Sequence, residues 1–453
     1  MKDRLNNSQL QYVLFHIEQH IDLSPIKSLI AYSDKDDTNK IIFRTSDKEI
    51  DKTFFIIHDS KNLPVLFPLS EETSFYCIEN NRLVFNHDIL KAIFYLLSGY
   101  QEHNSPNKDF MERFPYEHSI QKELNITSEP VVNYYIAIIS EALIKFAAQQ
   151  NIQLKTKRLF ETAGFLLSHD IDRVNYYHWR ETVYRWMQIL GLRKANYNKK
   201  RLFNAAIDSI LPTIFPGYKP DPFRNFKTMR KMEKKYGMVS SWYFLNRDGS
   251  DHDARYYFKE KSIRDIMNFL YHENCEIGLH GSLKTSSSKE AMIKALNKLK
   301  ASFNYEVPGT RQHYLKFSNP DTYRIQQQCG IKYDTTVGFA EHEGYRNSYC
   351  YPFHPYNFDN DTMMDIWEFP LIVMDGTLFY YREHNYESAM KSIENLLIET
   401  LKFGGIFTLL WHNSFFDEYE FPGITNFYNN LLKSIHNNGC ESLTGADLLN
   451  RIY

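Results

Sequence analysis

The chain has 453 residues, a formal net charge of -2, 43% hydrophobic and 15% aromatic residues. That length exceeds one ordinary core and argues for two domains, while the near-neutral charge gives no reason to expect nucleic acid or an anionic membrane as partner. Five scattered cysteines (Cys77, Cys275, Cys329, Cys350, Cys440) form no C-x-x-C pair, which excludes a zinc ribbon or dithiol site and fits a reducing compartment.

The apolar patch 12–17 is followed at once by Glu18, too short for a secretory signal, and no apolar run is expected to span a bilayer. A cytoplasmic protein without a membrane span is the expectation. Residues 40–45, 54–58 and 82–85 read as short strands. Residues 88–100 place Ile89, Ile93, Leu96 and Leu97 at helical spacing and stop at Gly99. Pro130 opens a helix over 131–149, since proline at a helix start sacrifices no hydrogen bond. The polar run 149–158 then reads as a linker, dividing a domain 1–150 from a second one, 159–453. Residues 173–220 form a Tyr-, Trp- and Lys/Arg-rich helical insertion, either over the site mouth or a packing appendage.

Beyond the linker, strand and helix signals alternate: strands at 240–245, 275–280, 310–317, 332–337 and 366–373, and helices at 262–272, 289–303, 323–328 and 387–403, the last ending at Gly404-Gly405. This alternation predicts parallel βα units closing into a barrel or an open sheet.

Several apolar strands end in chemistry. Phe165-Leu166-Leu167-Ser168-His169-Asp170-Ile171-Asp172 runs from a buried strand into an imidazole and two carboxylates. Asp170 and Asp172 share a side of an extended strand, and their charges repel unless a cation or a proton separates them. Glu276-Ile277-Gly278-Leu279-His280-Gly281-Ser282, then Arg311-Gln312-His313-Tyr314, then Leu409-Leu410-Trp411-His412-Asn413 repeat the pattern. In barrel-like α/β folds, carboxyl ends of strands converge on one face, so these residues are candidates for one site. The bland alternatives are a capping aspartate and satisfied core histidines.

The order of these motifs, with Tyr333-Asp334-Thr335-Thr336, Gly344-Tyr345-Arg346 and Trp367-Glu368-Phe369-Pro370, resembles the polysaccharide deacetylase (NodB homology, carbohydrate esterase 4-like) superfamily. It is similar to a bacterial subgroup with an extra N-terminal α/β domain, on residues 94–100, 109–114 and 130–134. The resemblance implies an α/β fold: a distorted (β/α) barrel of NodB type with a smaller N-terminal α/β domain. It also implies a divalent metal ion, with zinc first and cobalt, nickel or manganese as alternatives. The implied reaction is hydrolytic removal of an acetyl group from an N-acetylated sugar or polysaccharide precursor. Asp170 then matches the catalytic base, Asp172 and His280 metal ligands, Arg311 the arginine that fixes the base, and His412 the general acid.

Lys284 stands where the family places a second histidine. Three readings stay open: His313 takes that ligand's place; Asp172 and His280 hold a metal with waters or with His169; or the site has lost its metal. Tyr314, through a nearby backbone N–H, together with Arg346 and Trp411, are candidates for substrate binding, with structural roles as the alternative for the last two. Asp375 and Glu368 are candidate partners of a ligating histidine, or ordinary acids. Rival functions are an inactive carbohydrate-binding protein of the same fold and a hydrolase of non-sugar C–N amide bonds.

Overall fold

The computed structural model describes residues 1, 3–34, 39–103, 105–192, 199–215, 217–249 and 252–452. The N-terminal region holds strands β1 (Ile30–Tyr32), β2 (Ile41–Phe43), β3 (Phe55–His58), β4 (Lys61–Pro64), β5 (Tyr76–Glu79) and β6 (Arg82–Phe85). The sheet order is β1-β2-β6-β5, with β3 and β4 as a separate hairpin. The β5–β6 hairpin turns on Asn80-Asn81, both at positive φ (50° and 62°), as a two-residue turn requires and asparagine tolerates.

The helix Val131–Gln149 packs against this sheet with Val132, Ile136, Ile139, Leu143 and Phe146 buried. It corrects one expectation, because its length and hydropathy alone are sufficient to cross a membrane, although 67% of its apolar window is buried inside the molecule. Its apolar surface is explained by the core.

The second region is built from β7 (Gly164–Ile171), β8 (Ser240–Leu245), β9 (Glu276–Gly281), β10 (Gly309–Gln312), β11 (Tyr333–Asp334), the small hairpin β12 (Tyr356–Asn357) and β13 (Thr362–Met363), then β14 (Trp367–Glu368), β15 (Val373–Met374), β16 (Ile406–Leu410) and β17 (Glu441–Ser442). The main path runs β14-β11-β10-β9-β8-β7-β16-β15, every pair parallel. Helices such as Phe226–Lys235, Lys261–His272 and Lys289–Lys300 make the crossovers. With helices outside and side chains within, all eight residues of β7 are buried, which explains its unbroken apolar run.

The two ends of the path, β14 and β15, are halves of one stretch. Trp367–Glu368 pairs with β11, and Val373–Met374 pairs with β16. Pro370 lies between them and has no N–H for a ladder; its carbonyl instead accepts from Thr408 Oγ1 at 2.5 Å. The single strand expected over 366–373 is therefore broken, and this break is the distortion of the barrel.

The strand expected over 310–317 also stops early, at Gln312. His313–Leu315 forms a tight turn with Tyr314 at φ 59° and Leu315 at φ 53°. The Tyr314 carbonyl accepts from Arg113 Nη1 at 2.6 Å, a contact from the N-terminal region that extended pairing would not provide. The regions are joined further by Tyr345 N to Thr127 O, Cys350 N to Asn133 Oδ1 and Lys61 to Glu399.

Candidate active site

Alternation along β7 separates two neighbours. Asp170 turns into the ring, where Arg311 Nη1 donates to its Oδ1 at 3.0 Å with both groups at most 2% exposed. His169 turns outward and is tied by both nitrogens, to Trp411 O (2.7 Å) and to Glu233 Oε1 (3.1 Å). Glu233 is fully buried and also paired with Arg230. His169 is therefore no metal ligand.

Asp172, one residue past the strand, lies 3.4 Å from His280 Nε2 and 3.6 Å from His313 Nε2. Taken together, one ligand atom from each of Asp172, His280 and His313 lies within 4.8 Å of the others. His280 Nδ1 is 2.9 Å from the Arg311 carbonyl, which only accepts, so Nδ1 carries a hydrogen and Nε2 is the ring atom turned towards Asp172. Both His280 Nε2 and Asp172 Oδ1 are buried without a hydrogen-bond partner, and unmet buried polar atoms are costly. Burial pushes the His313 imidazole below its ordinary pKa despite Asp172, favouring the neutral ring that a metal needs. A divalent cation fits this donor set of two imidazoles and one carboxylate. Lys284 is exposed and outside the cluster.

On the other side, His412 Nδ1 meets Asp375 Oδ1 at 2.7 Å, and Asp375 Oδ2 accepts from the His412 backbone N–H at 2.5 Å. His412 Nε2 is 3.8 Å from Asp172 Oδ2. Burial alone would lower the His412 pKa, but Asp375, then Asp172 and Asp170, carry it up to about 9, so the ring holds a proton at neutral pH.

These groups line a cavity of about 330 Å³, shared with Arg113, Arg173, Tyr314, Tyr380, Tyr381 and Phe415. Asp170, Asp172, His280, His313, Tyr314 and His412 all face it, with Arg311 directly behind Asp170.

Two expected substrate contacts are corrected. Trp411 is fully buried, because alternation from His412 turns it away, and it packs on Phe427 and Tyr428. Arg346 is buried in a two-pronged pair with Glu102 (2.8 and 2.6 Å) and a bond to the Gly338 carbonyl. It ties the two regions together instead of reaching the cavity. Of the two acids considered as partners, Asp375 is the one that meets a site histidine; Glu368 is buried against Tyr323 and the Val337 N–H. Arg113, Arg173, Tyr380 and Tyr381 were not foreseen, since the arginines lie in loops and the tyrosines in the short π-helix Thr377–Tyr381, none with a strand-end pattern.

Residues 5–148 match the model of a family of unknown function, DUF7033. No curated protein matches the chain. Among solved structures the chain is similar to a protein from Mycobacterium smegmatis assigned as a polysaccharide deacetylase (12% identity, TM-score 0.42, covering 64% of this chain and 90% of that one). It is also similar to an allantoinase (12%, 0.40, 65% and 90%) and to a CE4 family pseudoenzyme from Bacillus anthracis (9%, 0.34, 64% and 66%). The chain is similar over about two thirds of its length to solved structures of the deacetylase type, and its N-terminal residues 5–148 match a family of unknown function.

Proposed function

We propose that the protein is a metal-dependent hydrolase that removes an acetyl group from an N-acetylated sugar. The supporting observation is the Asp172–His280–His313 cluster, with orphaned donor atoms at its centre, a buried Asp170–Arg311 pair on one side and the His412–Asp375 pair on the other. Asp172, His280 and His313 would hold the cation, zinc being the first choice for such donors. When bound, it supplies Lewis acidity, polarising a carbonyl and making a water molecule easier to deprotonate.

The chain's own groups do the rest. Asp170, fixed by Arg311, accepts the proton of the attacking water. His412, protonated and oriented by Asp375, donates to the departing amine, which is otherwise a poor leaving group. The tyrosines Tyr314, Tyr380 and Tyr381 at the mouth, each 39–47% exposed, offer ring faces and hydroxyls to a sugar.

Two variants test this. Asp170→Asn should abolish acetate release from an N-acetylated oligosaccharide while metal content by elemental analysis stays near that of the wild type. His313→Ala should lower metal content. Full turnover in the first variant, or unchanged occupancy in the second, refutes the assignment; hydrolytic ring opening of small cyclic amides, with no acetate from sugars, would favour a non-sugar amide substrate.

A further inference from the structure

The whole-chain charge conceals a local feature. Residues 173–220 contain nine Lys or Arg against two Asp or Glu, in a chain of net charge -2. Its described residues hold two helices, Trp179–Ile189 and Lys199–Ile214, packed on one another as a hairpin.

The first helix is inverted in its amphipathicity, and the second is apolar on its exposed side as well as its buried one. On the first helix, Glu181, Arg185 and Gln188 are buried, whereas Trp179 (59% exposed), Val183 and Leu190 face outward. On the second, Leu202, Ala205, Ala206 and Ser209 are buried, and Phe203, Ile207, Leu211 and Ile214 form an exposed stripe at helical spacing. Eleven of the 23 large apolar side chains exposed among the described residues fall between residues 173 and 220, seven of them on these two helices. An apolar stripe of this extent marks an interaction surface.

The charge selects the occupant. A second copy would set two basic hairpins against each other, whereas an anionic lipid surface complements both the cations and the aromatic and aliphatic face. A cleft lined by Glu181, Tyr184 and Arg185 of the hairpin shares Arg173, Phe223, Tyr380 and Glu420 with the catalytic cavity. The hairpin therefore stands next to the entrance.

We propose that this hairpin docks the protein on an anionic membrane surface and that the substrate is an N-acetylated sugar tethered to a lipid; the substrate half rests on the function proposed above, the docking half does not. The test mixes the full chain with vesicles of phosphatidylcholine alone or blended with phosphatidylglycerol, read by co-sedimentation. Binding is expected to the blended vesicles and to weaken with added salt. The variant Phe203→Ser/Ile207→Ser/Leu211→Ser should lose binding by about tenfold or more, with unchanged circular dichroism and unchanged acetate release from a water-soluble substrate. Should that variant misfold, Lys200→Glu/Arg201→Glu, at two exposed positions, should lose the salt-sensitive part.

Acetate release from a glycolipid with an N-acetylglucosamine head group, embedded in the blended vesicles, should fall in parallel with binding. Absence of binding, equal binding to both vesicle types, wild-type binding by the variants, or a drop in molar mass showing that the stripe joins two copies would each overturn the docking. Vesicle binding without hydrolysis of any acetylated sugar would instead sink the proposed function and leave the docking intact.

Discussion

Arg311→Met in metal-free protein probes how the Asp170 carboxylate is held. Arg311 and Asp170 are 0% and 2% exposed and 3.0 Å apart. Arg311 also donates to the Thr335 carbonyl and hydroxyl and lies over the Tyr243 ring. Methionine fills much of the same volume, so the loss is chiefly electrostatic: a carboxylate left buried without its partner costs ~3–5 kcal/mol. Asp170→Asn is milder, ~1–2 kcal/mol, because an amide oxygen still accepts from the guanidinium. The double variant removes both charges, and stability should recover by ~1–3 kcal/mol relative to the sum of the single losses. The assay is urea unfolding with chelator present, so that metal binding does not enter, and with m-values compared to confirm a common unfolding reaction. Strictly additive losses would show that the two groups do not act as a pair and would remove Arg311 as the device that positions Asp170.

Other outcomes are expected from the same geometry. Asp375→Asn should lower kcat about 100-fold with little change in KM, since Asp375 touches His412 and not the cavity; a loss confined to KM would contradict its orienting role. Arg346→Met should reduce stability by ~3 kcal/mol and leave KM unchanged, and a raised KM would restore it as a substrate contact. His16 is fully buried and, mainly through burial, held down to about 3. Its unfolded value lies near 6.5, so the unfolded chain takes up the proton first, and this contribution is present above that pH and lost as pH falls towards 3. His16→Asn should therefore flatten the stability profile between about pH 6 and pH 4 by up to ~1.4 kcal/mol per pH unit; an unchanged slope in urea titrations would refute it.

Much of the site was legible because strand chemistry is local. An apolar run ending in Asp170, His280 or His412 signals a strand delivering a side chain to a sheet edge, and the period of two already set Asp170 and Asp172 on one side. The same period, applied to 169 and 411, turns those side chains outward, and their neighbours on that side are helix 226–235 and the Phe427–Tyr428 surface. The helix Val131–Gln149 and the stop at Gly404, where φ is 69°, were equally local.

The amino-acid sequence by itself determined the succession of βα units, the acids and imidazoles at the strand ends, and the basic, aromatic character of residues 173–220. Only the tertiary structure decided that His313 stands with Asp172 and His280 in one group of atoms able to hold a cation. Its approach depends on a turn bonded by Arg113, 201 positions away in the chain, and no local pattern encodes such a contact. It also decided that Arg346 serves Glu102 and that the hairpin turns its apolar side outward, because burial is a property of what packs against a helix and periodicity reports only that two faces differ.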